Sequence, residues 1–135
     1  MNDQCRITRK AVEDIVAHAR EARPAECCGL LLGSGTTIAE AVRTPNTSDN
    51  PNRFFIDPQA HIEGRREARG RGLDVLGFYH SHPHSLPEPS ITDLQEASYP
   101  DHLYLIVSPA TNPAQIRLFR LVGGNFLEVP FFIVQ

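Results

Sequence analysis

The sequence predicts one α/β domain built on a mixed β-sheet. Segments with the apolar stripe of an amphipathic helix alternate with short, nearly continuous apolar segments of strand length, and turn residues separate them. The chain has 135 residues, 41% of them apolar, which is enough to bury one hydrophobic core without disulfides. Because no repeat, linker or low-complexity tract divides the sequence, we expect a single domain over residues 1–135.

The first half of the chain predicts two helices and three strands. Thr8 is placed to cap a helix that ends near Ala22, because the apolar residues between them recur on one face. Asp57 and Pro58 fit the N-cap and first turn of a second helix that reaches toward Arg69. The expected strands are 28–33, 37–43 and 53–56, and a loop rich in turn residues covers 44–52.

The second half predicts four strands and one short helix. The expected strands are 73–82, 103–108, 116–122 and 126–134, and a helix over 91–98 follows a proline-rich loop. Gly123-Gly124-Asn125 separates the last two strands and predicts a hairpin, because glycine tolerates the positive φ of such turns. Pro130 interrupts the last strand, which suits a position at the edge of the sheet.

The segment 77–93, GFYHSHPHSLPEPSITD, has the spacing of a three-ligand metal site. His80 and His82 lie two residues apart at the end of an apolar strand, so both imidazoles can face the same point. Asp93 returns after the proline-rich loop with a carboxylate oxygen. Two nitrogens and one oxygen leave a fourth tetrahedral position for water, which is typical of a catalytic zinc site.

Simpler interpretations of these residues remain open at this point. His-x-His is a common pattern, and a histidine at a strand end is usually a hydrogen-bonded surface residue. Ser90 and Asp93 also fit a capping box, and a carboxylate that caps a helix cannot easily bind zinc with the same oxygens. Ser81 should point away from the histidines and be structural, while His84 is expected in the loop near the cleft.

A second motif lies far upstream, in the segment 24–33, PAECCGLLLG, where Glu26 directly precedes an apolar strand. Together with the later motif, it resembles the JAMM (MPN-plus) metalloprotease family, whose pattern is Glu, a long gap, then His-[Ser/Thr]-His-Pro-x6-Ser-x2-Asp. Every position of that pattern matches here. The context of Glu26 and the segment 50–57, NPNRFFID, are similar to the small stand-alone bacterial members. The resemblance runs from about Ile7 to the end.

The resemblance implies both a fold and a reaction. The fold is that of JAMM/MPN domains, which is cytidine-deaminase-like, with helices flanking a strongly curved mixed sheet. The implied site holds one zinc ion through His80, His82 and Asp93, with Glu26 as the general base and Ser90 stabilising the oxyanion. The implied reaction is hydrolysis of an amide or isopeptide bond without a covalent intermediate. Metal-free scaffold members typically lose ligands, whereas all five residues are present here.

The resemblance also implies a class of substrate. The small bacterial members cleave after the C-terminal Gly-Gly of ubiquitin-fold sulfur carriers of the ThiS and MoaD kind, which serve cysteine or other sulfur metabolism. Because the chain has almost nothing beyond the minimal domain, we do not expect it to be a subunit of a large complex. The alternative is a non-catalytic MPN-type binding module that recognises a ubiquitin-like partner without cutting it.

Composition excludes several other classes. The net charge of −3 provides no basic surface for nucleic acid. No segment approaches the ~18 apolar residues of a membrane helix, and the N-terminal sequence MNDQCRITRK lacks the apolar core of a signal peptide. The chain has three cysteines, an odd number that includes two sequence neighbours, so we expect a reducing, cytoplasmic location and a small buried residue at Cys28.

Overall fold

The structure is a computed structural model that describes residues 4–135, so residues 1–3 of the expected domain lie outside the described part. Its elements are β1 (Cys5–Thr8), α1 (Arg9–Ala22), β2 (Cys28–Ser34), β3 (Thr37–Thr44), α2 (Pro58–Gly70), β4 (Asp74–Ser81), α3 (Ile91–Glu96), β5 (Leu103–Ser108), β6 (Gln115–Val122), β7 (Asn125–Glu128) and β8 (Phe131–Val134).

The strands of the described residues form one eight-stranded sheet in the order β7-β6-β5-β4-β2-β3-β1-β8. It is mixed, because β4 runs antiparallel to β2 and parallel to β5. β7 and β8 occupy opposite ends of this order, yet only Val129 and Pro130 separate them along the chain. The three Cα–Cα steps from Glu128 to Phe131 span at most ~11 Å. The sheet must therefore curl until its edges lie close together, which confirms the predicted α/β fold with a curved mixed sheet.

Both long helices begin at the predicted caps. Thr8 Oγ1 accepts a hydrogen bond from the amide of Ala11 (3.2 Å), and the Asp57 carboxylate accepts one from the amide of Ala60 (3.0 Å). These bonds satisfy amides that have no partner within the first helical turn. Within residues 4–135, no helix combines the length and the apolar content needed to cross a bilayer.

The two long helices cover opposite faces of the sheet. Side chains along β2 alternate between the two faces, so Leu31 packs in the same buried cluster as Ile15 of α1. Leu30 and Leu32 instead pack in a second cluster, which contains Ala68 of α2. The sheet is therefore buried on both faces, and its central strands are almost entirely apolar.

Four secondary-structure predictions need correction. β1 was not predicted, because four residues next to a helix give little periodic signal, and its pairing with β3 and β8 is long-range. The expected strand 126–134 is two strands, since Pro130 has no amide to donate and the chain changes partners there. The helix predicted over 91–98 ends at Glu96. The strand predicted over 53–56 does not form, and only Ile56 makes an isolated bridge, to Asn46.

The side chain of Asn46 adds to the few backbone bonds that connect this segment. Its Nδ2 donates to the carbonyls of Glu26 and Arg53, both at 3.0 Å. Its Oδ1 accepts from the amides of Ser48 (3.0 Å) and Phe55 (2.9 Å). This amide side chain and the hydrogen bond from the Glu26 amide to the Pro51 carbonyl (3.0 Å) hold the loop before α2 against the segment that carries Glu26, in a way that backbone periodicity cannot predict.

Candidate metal centre

The central strand β4 positions both histidines of the motif. The amide of Ser81 donates to the Cys27 carbonyl (3.1 Å), and the amide of His82 donates to the Val107 carbonyl (2.9 Å). The chain therefore stays extended between its neighbouring strands through His82. Alternation along an extended chain then places the side chains of His80 and His82 on the same face of the sheet.

The two imidazoles converge on the carboxylate of Asp93. His80 Nε2 lies 3.2 Å from Asp93 Oδ1, His82 Nε2 lies 3.1 Å from Asp93 Oδ2, and the two Nε2 atoms are 3.2 Å apart. The candidate ligand atoms of the three residues all lie within 4.8 Å of one another. The three side chains are 4%, 9% and 8% exposed, so the cluster is largely shielded from water. Such a group of two nitrogens and a carboxylate could hold a metal ion.

Neighbouring groups fix the orientation of both rings. His82 Nδ1 lies 3.0 Å from the carbonyl of Leu86, which can only accept a hydrogen bond. Nδ1 of His82 therefore carries a proton, and Nε2 is the nitrogen that faces Asp93 and is available as a metal ligand. The ring of Phe54 stacks on His80 with centroids 4.3 Å apart and planes 15° from parallel.

Asp93 caps α3 and faces the histidines at the same time. Its Oδ2 accepts from the Ser90 amide (2.9 Å), and the Asp93 amide donates to Ser90 Oγ (2.9 Å), which completes the predicted capping box. Oδ1 takes no part in the cap and faces His80. The conflict expected between capping and metal binding is therefore avoided, because the cap uses only one of the two carboxylate oxygens.

The electrostatics of the cluster favour a carboxylate and a neutral histidine. Burial lowers the pKa of His80, so its imidazole is neutral, as a metal ligand must be. Burial also opposes the charged form of His82, but the hydrogen bond to Asp93 and the Leu86 carbonyl outweigh it and raise the pKa. Burial would raise the pKa of Asp93, yet hydrogen bonds from both histidines hold it well below its ordinary value.

Glu26 lies close to the same cluster. It lines a cavity of about 310 Å³ together with His82, Ser90 and Asp93. Burial raises the pKa of Glu26 from 4.5 to about 7, although the nearby His82 partly offsets this rise. A carboxyl group with a pKa near neutrality is suited to accept and then return a proton. The structure thus brings Glu26 and Ser90 into one cavity with two of the candidate ligands, His82 and Asp93.

The other polar residues of the motif occupy their expected places. Ser90 lines the smaller cavity, and because its Oγ accepts the cap hydrogen bond, its own O–H remains available as a donor. Ser81 Oγ is fully buried and accepts from the Cys27 amide (2.9 Å), so Ser81 is structural, as predicted. His84 is exposed on the rim of the smaller cavity, in the loop after β4.

All three cysteines are buried, and Cys27 and Cys28 are free thiols. Burial raises the pKa of the Cys27 and Cys28 thiols to about 11, so both stay protonated at neutral pH and are poor nucleophiles. Neither belongs to the cluster of candidate metal ligands. The expectation that Cys28 is a small buried residue is therefore confirmed.

A second and larger cavity, of about 740 Å³, borders the cluster at His80 and Asp93. Four residues line both cavities: Arg53, Phe54, Asp93 and Glu96. Arg53 and Glu96 form an ion pair between the loop before α2 and the end of α3. Sequence reasoning assigned no role to Arg53 or Phe54, although the segment NPNRFFID was already conspicuous as part of the family resemblance.

Comparison with known proteins agrees with this fold. The sequence model of the family of prokaryotic homologues of the JAB domain matches residues 8–122. A desampylase of Haloferax volcanii is 40% identical over 126 residues, which cover 88% of each chain. A CysO-cysteine peptidase of Mycobacterium tuberculosis is 31% identical over 127 residues, which cover 92% of this chain and 87% of the relative.

Solved structures of other proteins have the same fold. A protein of Desulfitobacterium hafniense superposes with a TM-score of 0.89 at 30% identity, covering 98% of this chain and 94% of the other. A JAB1/MPN domain protein of Archaeoglobus fulgidus has a TM-score of 0.63 at 22% identity, covers 98% of both chains and supports the fold alone.

This fold, together with peptidase relatives that match over most of both chains, defines the class of protein as a JAMM-type metallopeptidase. The chain belongs to the family of prokaryotic homologues of the JAB domain.

Proposed function

We propose that this peptidase uses zinc to cleave the amide bond after the C-terminal Gly-Gly of a ubiquitin-fold sulfur-carrier protein of the ThiS or MoaD kind. The observation that carries the proposal is the convergence of His80, His82 and Asp93 beside a cavity that also contains Glu26 and Ser90. The free thiols of Cys27 and Cys28 support activity in the reducing cytoplasm.

The donor set fits zinc. Two imidazole nitrogens and one carboxylate oxygen are borderline ligands, and a zinc ion that they bind keeps one position for water. The Leu86 carbonyl holds His82 with Nε2 toward the cluster, and burial favours the neutral form of His80. The raised pKa of His82 means that a metal ion would displace a proton from this ring on binding. A zinc ion bound there supplies a water acidic enough to react near pH 7.

The remaining residues act on protons and on developing charge. Glu26 accepts the proton of the attacking water and returns it to the nitrogen of the leaving amine, so the same carboxyl group serves as base and then as acid. Its pKa of about 7 in the metal-free protein matches this exchange. Ser90 donates its hydroxyl proton to the oxyanion that forms on the scissile carbonyl, while its oxygen keeps the cap of α3.

The substrate class rests on the names of the relatives and on the shape that glycine gives to a peptide tail. A desampylase and a CysO-cysteine peptidase match at 40% and 31% identity over most of both chains. A Gly-Gly tail has no side chains, so its backbone can lie close to a buried metal cluster. Both points support a ubiquitin-fold protein whose tail is cut at the Gly-Gly boundary.

The decisive test uses a recombinant ThiS- or MoaD-like carrier that bears a short C-terminal extension after Gly-Gly. We expect the zinc-loaded protein to release the extension at that boundary, as mass spectrometry of the carrier would show. EDTA should stop the reaction, zinc should restore it, and Glu26→Gln should abolish turnover while retaining the metal. An intact carrier after long incubation with protein of confirmed zinc content would favour the non-catalytic binding module. Cleavage elsewhere would retain the peptidase but exclude the carrier.

A further inference from the structure

The larger cavity beside the metal cluster is walled by aromatic rings. Its volume is about 740 Å³, and two members of the cluster, His80 and Asp93, belong to its lining. Phe78 and Tyr104, which are only 4% and 7% exposed, belong to its lining, and the partly exposed ring of Tyr99 adds a wall. A cavity of this size is in the range of small-molecule sites and can hold a large side chain.

The rings of this cavity hold one another in place. The ring centroid of Tyr99 lies 5.0 Å from that of Phe78 and 5.2 Å from that of His61. The guanidinium of Arg65 lies over Tyr99 at 5.5 Å and donates to His61 Nε2 at 2.8 Å. Because these contacts fix the walls in advance, little conformational entropy is lost when a ligand enters.

The proposed reaction assigns opposite halves of the substrate to the two cavities. Glu26 lines the smaller cavity, and it must deliver a proton to the leaving amine. The amine therefore departs on that side, where His84 and Ser85 add polar groups. The scissile carbonyl stays beside Ser90, and we assign the rest of the acyl half, which ends in Gly-Gly, to the larger cavity, which adjoins the smaller one at Asp93 and Phe54.

Two glycines leave the larger cavity unfilled, because they have no side chains. An extended chain advances ~3.3 Å per residue, so the residue before Gly-Gly lies ~7 Å from the scissile carbonyl and can reach the aromatic walls. We propose that the larger cavity binds the side chain of the residue that precedes Gly-Gly, and that it selects a large apolar or aromatic side chain. This inference rests on the proposed function and adds a specificity site to it.

Binding of the cleaved tail tests the proposal without relying on turnover. The probes are fluorescein-labelled peptides that end in Xaa-Gly-Gly with a free carboxylate, where Xaa is Leu, Phe, Ala or Asp. Fluorescence anisotropy with the zinc-loaded protein should show binding at least about tenfold tighter for Leu or Phe than for Ala or Asp. Equal affinity for all four peptides would overturn the proposal.

Two substitutions connect this preference to the cavity. Ser98→Trp places a ring in the cavity from its exposed wall, so the Leu and Phe peptides should lose their advantage while the Ala peptide binds as before. Tyr99→Ser removes one wall and should shrink the same advantage. The matched control is Ser34→Trp, an exposed position at the end of β2 remote from His80, which should change nothing. A preference that survives both cavity variants would overturn the assignment.

The outcomes separate this inference from the proposed function. Carrier cleavage at Gly-Gly with no side-chain preference retains the function and overturns the cavity assignment. A clear preference in binding without carrier cleavage overturns the peptidase assignment but retains the cavity as part of a binding module. A third measurement uses peptides that extend beyond Gly-Gly. If Ser98→Trp alters the preference for the residue after the scissile bond, the larger cavity binds the leaving half of the substrate, and the proposal is wrong.

Discussion

Asp93 joins helix capping to the candidate metal cluster, so a substitution can separate the two roles. Asp93→Asn keeps an oxygen that can accept the Ser90 amide but removes the negative charge shared with His80 and His82. Because the charge is lost at a ligand itself, zinc affinity should fall by more than the ~10–100-fold typical of substitutions behind a ligand. Chelator competition measures the affinity, and thermal unfolding of the metal-free protein checks the cap. Unchanged zinc affinity would remove Asp93 from the ligand set.

Glu26 makes the stability of the metal-free protein depend on pH. Its folded-state pKa is raised from 4.5 to about 7, so its contribution is fully present below pH 4.5 and is lost as the pH rises through 7. Between pH 4.5 and pH 8, the free energy of unfolding of the wild type should therefore fall by about 1–2 kcal/mol more than that of Glu26→Gln. This value is reduced because the Glu26 side chain is partly solvated. Urea unfolding of both EDTA-treated proteins across this window measures the difference. Parallel curves for the two proteins would contradict the prediction.

Ser90 has a hydroxyl that both accepts and donates, and only the donor role is catalytic. Ser90→Ala should lower turnover about a hundredfold by removing the oxyanion contact, and should also cost about 1 kcal/mol of stability by removing the cap. Ser90→Thr keeps both functions and should restore most of each. Turnover, zinc content and unfolding are measured on both variants well below their melting temperatures. A Ser90→Ala protein that loses only stability would leave Ser90 as a cap alone.

Individual elements show which features the sequence could predict. The caps at Thr8 and Asp57 and the orientation of the two histidines depend on residues close in sequence, so patterns predicted them correctly. β1 was missed because its partners are distant in sequence, and Asn46 was missed because its side chain joins three segments through hydrogen bonds that leave no periodic pattern. The expected conflict at Asp93 treated its carboxylate as a single group. In the structure Oδ2 caps the helix, and Oδ1 faces His80 and takes no part in the cap.

The loop between β4 and α3 is positioned by a buried residue of β5 that the sequence did not single out. Ser108 is 1% exposed, and its Oγ donates to the carbonyl of Ser85. The next carbonyl, that of Leu86, accepts the Nδ1 hydrogen bond of His82. Ser108 is therefore a positioning residue for a candidate ligand, although it does not contact the cluster.

Ser108→Ala should free this loop and lower zinc affinity by about tenfold, because a group behind a ligand typically has that effect. Chelator competition with the purified protein measures the change. The matched control is Thr44→Val, which removes another buried hydroxyl, one that bonds to Cys28 at 3.1–3.4 Å, and should cost stability without changing zinc affinity. Equal zinc affinities for wild type and Ser108→Ala would mean that the loop keeps its place by other contacts.

The whole molecule depends on closure of the sheet by its two chain-terminal strands. β1 lies between β3 and β8 and runs parallel to both, so the first and last strands of the described residues complete one edge together. Ile7 and Cys5 of β1 are fully buried in the cluster that contains Ile15 of α1. That cluster also contains Tyr79, the neighbour of His80 on the central strand β4. β1 and β4 therefore pack in the same hydrophobic core.

Ile7→Ala tests this closure, since a surface strand would tolerate the change and a core strand would not. Removing a fully buried isoleucine side chain should cost about 2–5 kcal/mol and lower the melting temperature by roughly 10 °C. Phe132→Ala on β8 is the matched control, because that ring is 53% exposed and its loss should cost under about 1 kcal/mol. Zinc bound per folded molecule should stay constant in both variants, since β1 and β8 lie three or more strands from β4 in the sheet order. Equal melting temperatures for Ile7→Ala and wild type would mean that β1 is no part of the core, and that the sheet closes without it.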